Sequence, residues 1–184
     1  MMKTKRAPRR FDPDRRERII DIALDVIAEY GVAETSLRRV AAAADVPLGS
    51  MTYHFTDRTA FLCESFAKFA DEMFICFAKK MDRCTNREDA VQAVIDHICG
   101  EGWASRRNFL LCYELYAFSG RGGDPGRILL NWLEQVREKL MIFFDKRTSD
   151  GLDALLEGYS IHCSVDHSPP SREDIEYIVM KITQ

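Results

Sequence analysis

The sequence predicts an all-α protein of about nine helices, an N-terminal three-helix helix-turn-helix unit followed by a larger helical part. Three observations carry this reading. Apolar residues recur at helical spacing between turn signals, as in Leu62, Phe66, Phe69, Met73 and Phe77. Good N-cap residues stand ahead of these stretches, Ser36, Asp57, Asn86 and Ser171 among them. No stretch shows convincing strand alternation, and there is no repeat or low-complexity run.

Taken in order, residues 1–11 form a basic arm, and Asp12-Pro13 reads as an N-cap followed by a first helical residue. The first helix carries Ile19, Ala23, Val26, Ile27 and Tyr30 on one stripe and ends at Gly31. Thr35 or Ser36 caps a second helix with Leu37, Val40, Ala41 and Ala44 inward. Asp45 is the turn residue, one of the few non-glycine types that tolerates a left-handed conformation. A third, short helix starts near Pro47, anchored by Met51 and Phe55, with Val46 just ahead of it. Its other face carries Leu48, Gly49, Thr52 and Tyr53, too small and polar to be core. Helix, short turn and short helix is the pattern whose second helix enters the DNA major groove.

The long fourth helix, capped by Thr56 or Asp57, spans the boundary between the parts, placed at 12–58 and 59–184. Further helices are predicted over 87–100, over 109–118 capped by Asn108, and over 127–144. The last two fall at 149–165 and, after the break at Pro169-Pro170, from Ser171, with Ile175, Ile178, Val179 and Ile182 inward. Residues 119–126 hold four glycines and a proline and read as a loop.

Residues 16–66 resemble the N-terminal domain of the TetR family of bacterial transcriptional regulators. The matching pieces are Arg18-Ile19-Ile20 with Ala23, Tyr30-Gly31-Val32, and Thr35-Ser36 through Val40-Ala41. They continue through Val46-Pro47-Leu48-Gly49, Tyr53-His54-Phe55, Arg58 and Phe61-Leu62. The resemblance implies an N-terminal helix-turn-helix DNA-binding domain plus a C-terminal helical ligand-binding and dimerisation domain, in a homodimer that pairs through its last two helices, binds a double-stranded, near-palindromic operator, and responds to a small-molecule effector. A repressor is the first expectation and an activator the alternative. It also implies phosphate contacts by His54 and Arg58, a base contact by Arg38, and minor-groove contacts by Lys5, Arg6, Arg9 and Arg10.

The residue chemistry fits that expectation. Thr52 and Tyr53 face outward, and threonine can bond a base edge or meet a thymine methyl. Gly49 lets the backbone approach DNA closely, and Ser36 can cap a helix while touching a phosphate. Two positions depart from the family: Pro47 stands where serine or threonine is frequent, and Thr52 where a second aromatic is frequent. Both bear on which operator is read.

The 184 residues are 46% apolar, enough for a sizeable core, and the net charge is −3. Residues 1–58 nevertheless hold 11 Lys/Arg against 9 Asp/Glu, while the remainder holds 15 against 20. The positive charge therefore sits at the helix-turn-helix end. Six cysteines without a CxxC pair suit a reduced cytoplasm, and neither a membrane span nor a signal peptide is expected.

Candidates for an effector pocket are Trp103, Phe109, Tyr113, Glu114, Tyr116, Phe118, Trp132 and His162. Glu114 stands out as the one charge in an apolar helix; it either meets solvent or is buried against a partner or a cationic ligand. No catalytic motif is present, so no enzyme and no cofactor is expected. His162, Cys163 and His167 do not share one helical face, which argues against a metal. A redox sensor on the same frame, switched by Cys112 or Cys163, is a second reading.

Overall fold

In a computed structural model, the structure describes residues 14–100, 105–120, 122–166 and 171–184. Among them are nine helices and no strand: α1 (Arg15–Glu34), α2 (Leu37–Ala43), α3 (Leu48–His54), α4 (Arg58–Met81), α5 (Arg87–Ile98), α6 (Arg106–Ser119), α7 (Gly123–Leu140), α8 (Lys146–Asp166) and α9 (Arg172–Ile182). The basic arm, the Asp12-Pro13 cap, Trp103, His167 and the Pro169-Pro170 break lie outside the described residues, as does the side chain of Cys163.

Two apolar cores form. The smaller gathers Ile19, Ile20, Ala23 and Val26 of α1, Val40 and Ala41 of α2, Met51 of α3, and Phe55 and Phe61. The larger joins Leu24 and Ile27 of α1 to α4 through α9. α1 and α4 contribute to both, so these two rods bind the N-terminal unit to the body. α6 packs against α1, α7 and α8, and α4 lies along α7.

The caps explain several boundaries. Ser36, Asp57, Asn86 and Ser171 each accept a backbone N–H three residues on, as their residue types favour. Four expected starts shift, that of α8 from 149 to Lys146. α6 begins at Arg106, capped by Ser105, so Asn108 is a buried residue inside the helix. α7 begins at Gly123 because Asp124-Pro125-Gly126 fits a first helical turn, where proline loses no hydrogen bond. Pro47 caps α3 in an extended conformation (φ −60°, ψ 142°) instead of opening it.

Gly31 breaks α1 near its end, with φ 76° and ψ 165°. Asp45 adopts φ 51°, the one positive φ outside glycine among the described residues, and turns α2 into α3 as the sequence predicts.

Candidate nucleic-acid interface and interior cavity

α3 is seven residues long and cannot stand alone. Its inner side is fixed by Met51, fully buried, and by Phe55, 3% exposed, whose ring meets Phe61 edge-on at 4.6 Å. The Phe55 N–H donates to the Met51 carbonyl at 2.8 Å and closes the helix. Behind it, Val40, Ala41 and Ala44 are buried, and the small alanines let α3 approach α2.

The outer side is open. Tyr53 is 83% exposed and Leu48 is 41% exposed. Thr52, Gly49 and Pro47 are exposed beside them. A Cβ built at Gly49 would meet nothing within 4 Å, so the fold itself does not require glycine there. The Thr52 hydroxyl donates back to the Gly49 carbonyl at 3.3 Å, and as an oxygen it can still accept. His54 is half-buried, with its ring edge-on to Tyr53 at 5.0 Å. Arg38 is exposed on α2, while Arg39 lies over the Tyr30 ring at 4.4 Å. Ser36 accepts the Arg39 N–H at 3.2 Å, which leaves its own proton available.

Arg58, expected at a phosphate, is engaged within the fold. Its Nε donates to the Thr35 carbonyl at 2.8 Å, and its Nη2 donates to the Val32 carbonyl and, at 3.4 Å, to that of Ala33. Carbonyls at a helix end are short of partners, that of Val32 accepting the Thr35 N–H at 3.2 Å, and a cation there is favourable. Arg58 thus holds the α1–α2 corner from inside. Glu114 holds the same corner from α6: its Oε2 accepts the Val32 N–H at 2.8 Å.

Most of the expected effector residues do not line one cavity. A small cavity of about 10 Å³, room for one water at most, lies between Met73 and Phe77 of α4, His97 of α5, Trp132 and Val136 of α7, and Leu156 and Glu157 of α8. Among the described residues, Trp132 is the one expected residue that lines it. Tyr116 reaches it indirectly, through a hydrogen bond to Glu157. Phe109 is core, and Phe118 packs against Phe66 at 5.7 Å. Tyr113 is 53% exposed and His162 is exposed as well, because both stand on the outward faces of their helices.

Sequence reasoning missed the polar stripe on the inner face of α8. Ser149, Asp153 and Glu157 stand four apart, among the apolar Leu152 and Leu156. Carboxylates at that spacing on an apolar face were the available signal. Arg137 bonds Asp153 at 2.7 Å. The Glu157 Oε2 is sealed from solvent and meets no donor among the described residues. Burial, the largest influence, raises the Glu157 carboxyl to about 7, with the Tyr116 hydrogen bond and Arg137 opposing it and Asp153 adding to it. Burial, helped by Lys80, depresses His97 to about 3 and keeps it neutral.

Cys112 is fully buried and burial pushes its thiol up, opposite to what a reactive thiolate needs. The described residues contain no grouping of three or more His, Cys, Asp or Glu suited to a metal. No helix among them is long and apolar enough to cross a membrane.

Residues 19–64 match the family described as bacterial regulatory proteins, tetR family. SCO7518 of Streptomyces coelicolor A3(2), described as a transcriptional regulator, is 37% identical, with 94% of this chain and 99% of that chain covered and a TM-score of 0.82. The multidrug binding protein EbrR, complexed with imidazole, is 29% identical, with 94% of this chain and 97% of that chain covered and a TM-score of 0.74. EbrR is also similar in its complexes with malachite green and ethidium. The nicotine-responsive transcriptional repressor HdnoR of Paenarthrobacter nicotinovorans is 24% identical over 178 residues, covering 88% of this chain and 90% of its own length.

Proposed function

Because the chain belongs to the TetR family of bacterial regulatory proteins, we propose that it is a homodimeric repressor of transcription, released from a near-palindromic operator by a small-molecule effector. The observation that carries this reading is the outer face of α3, open at Leu48, Gly49, Thr52 and Tyr53 and held rigid from behind by Met51 and Phe55. In this reading, residues 12–58 are the reading head and residues 59–184 the ligand-binding and dimerisation body. Thr52 and Tyr53 meet base edges, with Pro47 and Leu48 against the groove wall. Gly49 lets the backbone close on the DNA. Ser36, Arg38 and His54 face the backbone and flanking bases, and the basic arm reaches the minor groove.

The two α3 helices of a dimer would enter successive major grooves about 34–36 Å apart. Exposed apolar side chains support pairing through the last two helices: Ile161 and Val165 on α8, and Tyr177 and Met180 on α9. Repressor and effector release are favoured by the likeness to HdnoR, a nicotine-responsive repressor, and to EbrR, which has been crystallised with small molecules. An effector that binds one body arrangement better than another changes DNA affinity by its differential binding, typically about 1–3 kcal/mol.

The test is selection of DNA from a random-sequence pool, followed by sedimentation of the complex. A recurring inverted repeat bound by an even number of subunits supports the reading. Selection of no sequence, or a free monomer that binds as a monomer, overturns it.

A further inference from the structure

We propose that the outer face of α4 is a self-association surface, on which Asp71, Ile75 and Lys79 of one copy lie antiparallel against the same residues of a second copy. This face is separate from the α8 and α9 face proposed above for dimerisation.

Asp71, Ile75 and Lys79 stand four apart and form one ridge of the helix. All three are exposed. Ile75, 49% exposed, is the one large apolar side chain that α4 leaves open. On the opposite side Phe69, Phe77 and Ala78 are buried, so the body holds the helix firmly. α4 packs on α1, α5 and α7, and the ridge is left to solvent.

The charge on this face changes sign at Ile75. The groove toward the C-terminal end of α4 is lined by Lys79, Lys80 and Arg83 against Glu72. The groove toward its N-terminal end is lined by Glu17, Glu64, Asp71 and Glu72 against Arg16 and Lys68. Part of this charge is used within the chain. Lys80 donates to the Asp96 carbonyl at 2.8 Å, Lys68 bonds Asp21 and Glu72, and Arg16 bonds Glu64. Among the described residues no ion pair holds Asp71, Lys79 or Arg83. Asp71 and Lys79 lie about 12 Å apart along the axis, too far to pair with each other.

A ridge that is acidic before its apolar centre and basic after it complements its own reverse. A parallel copy sets like charge against like. An antiparallel copy, related by a two-fold axis through Ile75, brings Asp71 opposite the partner's Lys79 twice and Ile75 against its equivalent. Arg83 then falls opposite the small Ala67, within a turn of Glu64. A partner of one charge sign would match half of this face and be repelled by the other half, which singles out a second copy as the occupant.

One helix on one helix buries less than a standard interface, so the association is weak by itself. It gains force where copies are already held close, as dimers at neighbouring DNA sites are. That consequence rests on the regulatory role proposed above; the pairing itself does not.

The experiment is sedimentation velocity of the full-length protein without DNA over a concentration series. The unaltered protein is compared with Ile75→Lys, Asp71→Lys, Lys79→Asp and the double swap of Asp71→Lys with Lys79→Asp. The expected result is an association step that disappears in Ile75→Lys, weakens roughly tenfold in each single charge variant and returns in the double swap. The two charged positions cannot meet within one helix, so recovery in the swap reports contact between chains. An unaltered protein with no step that Ile75→Lys removes, or single losses that the swap does not recover, overturns the proposal. Should Ile75→Lys fail to fold, the charge swap still decides. A dimer remaining in Ile75→Lys supports both faces; a monomer remaining supports the α4 contact and rejects pairing through α8 and α9 alone.

Discussion

Glu114 and Val32 lie 82 positions apart in the chain and are joined by one hydrogen bond, from the Val32 N–H to Glu114 Oε2 at 2.8 Å. Gly31 makes the bond necessary: its φ of 76° breaks α1 and takes the following N–H out of the helical ladder. A Cβ at Gly31 would stand 2.9 Å from Glu114 Oε1, so the carboxylate fits the glycine closely. With Arg58 on the neighbouring carbonyls, one acid from α6 and one base from α4 close the same corner. The helix-turn-helix is thereby fixed to the body by specific bonds as well as by packing.

Replacing Glu114 with alanine should leave the Val32 N–H without its acceptor and destabilise the fold by about 1–3 kcal/mol. Gly31→Ala should cost at least ~1 kcal/mol, from the left-handed backbone and the contact with Glu114. Urea unfolding of the two single variants and the double variant checks both values. The double variant should lose less than the two single losses added, because removing Glu114 relieves the clash.

Arg58→Ala should destabilise by about 1–3 kcal/mol, since the Thr35 carbonyl loses its Arg58 donor and the Val32 carbonyl keeps only the Thr35 N–H. Arg58→Lys should recover little, because an ammonium lacks the planar fork that spans these acceptors. DNA binding by the folded variant should keep its salt slope. A slope reduced by about one unit would mean that Arg58 meets a phosphate.

His97 and Glu157 should bend the pH dependence of stability in opposite directions. His97 falls from 6.5 in the unfolded chain to about 3 in the fold, so its share is full above 6.5 and is lost as pH falls toward 3. Glu157 rises from 4.5 to about 7, so its share is full below 4.5 and is lost as pH rises through 7. Thermal melts from pH 4 to pH 8 should show His97→Leu losing less stability in acid than the unaltered protein. Glu157→Gln should lose less on the neutral side. The same slope in variant and parent would contradict the assigned environments.

Met51→Ala should cost about 2–5 kcal/mol, as removal of a fully buried side chain in a small core does. Calorimetry measures it. The loss should be felt first at α3, whose inner face depends on Met51 and Phe55.

What the sequence made legible was whatever depends on local chemistry. Caps at Ser36, Asp57, Asn86 and Ser171 and the left-handed turn at Asp45 follow from residue type alone. The inner and outer faces of α3 follow from a four-residue spacing. The role of Arg58 was not legible, because an exposed phosphate contact and an inward carbonyl clamp use the same donors, and Thr35 and Val32 become neighbours only in the fold. Tyr113 and His162 stand away from the small cavity, and aromaticity does not say which helix face meets the body. Glu157 was missed because charge was sought in α6, where Glu114 stood out, while α8 carried its carboxylates on the buried side.

The measurement that tests the central claim most directly is the affinity of Tyr53→Ala for the DNA selected by the unaltered protein, by fluorescence anisotropy at fixed salt. Tyr53 is 83% exposed, so its removal should leave folding nearly untouched. The expected result is a loss of about tenfold or more, with discrimination against changed bases reduced. Undiminished affinity and selectivity would contradict it.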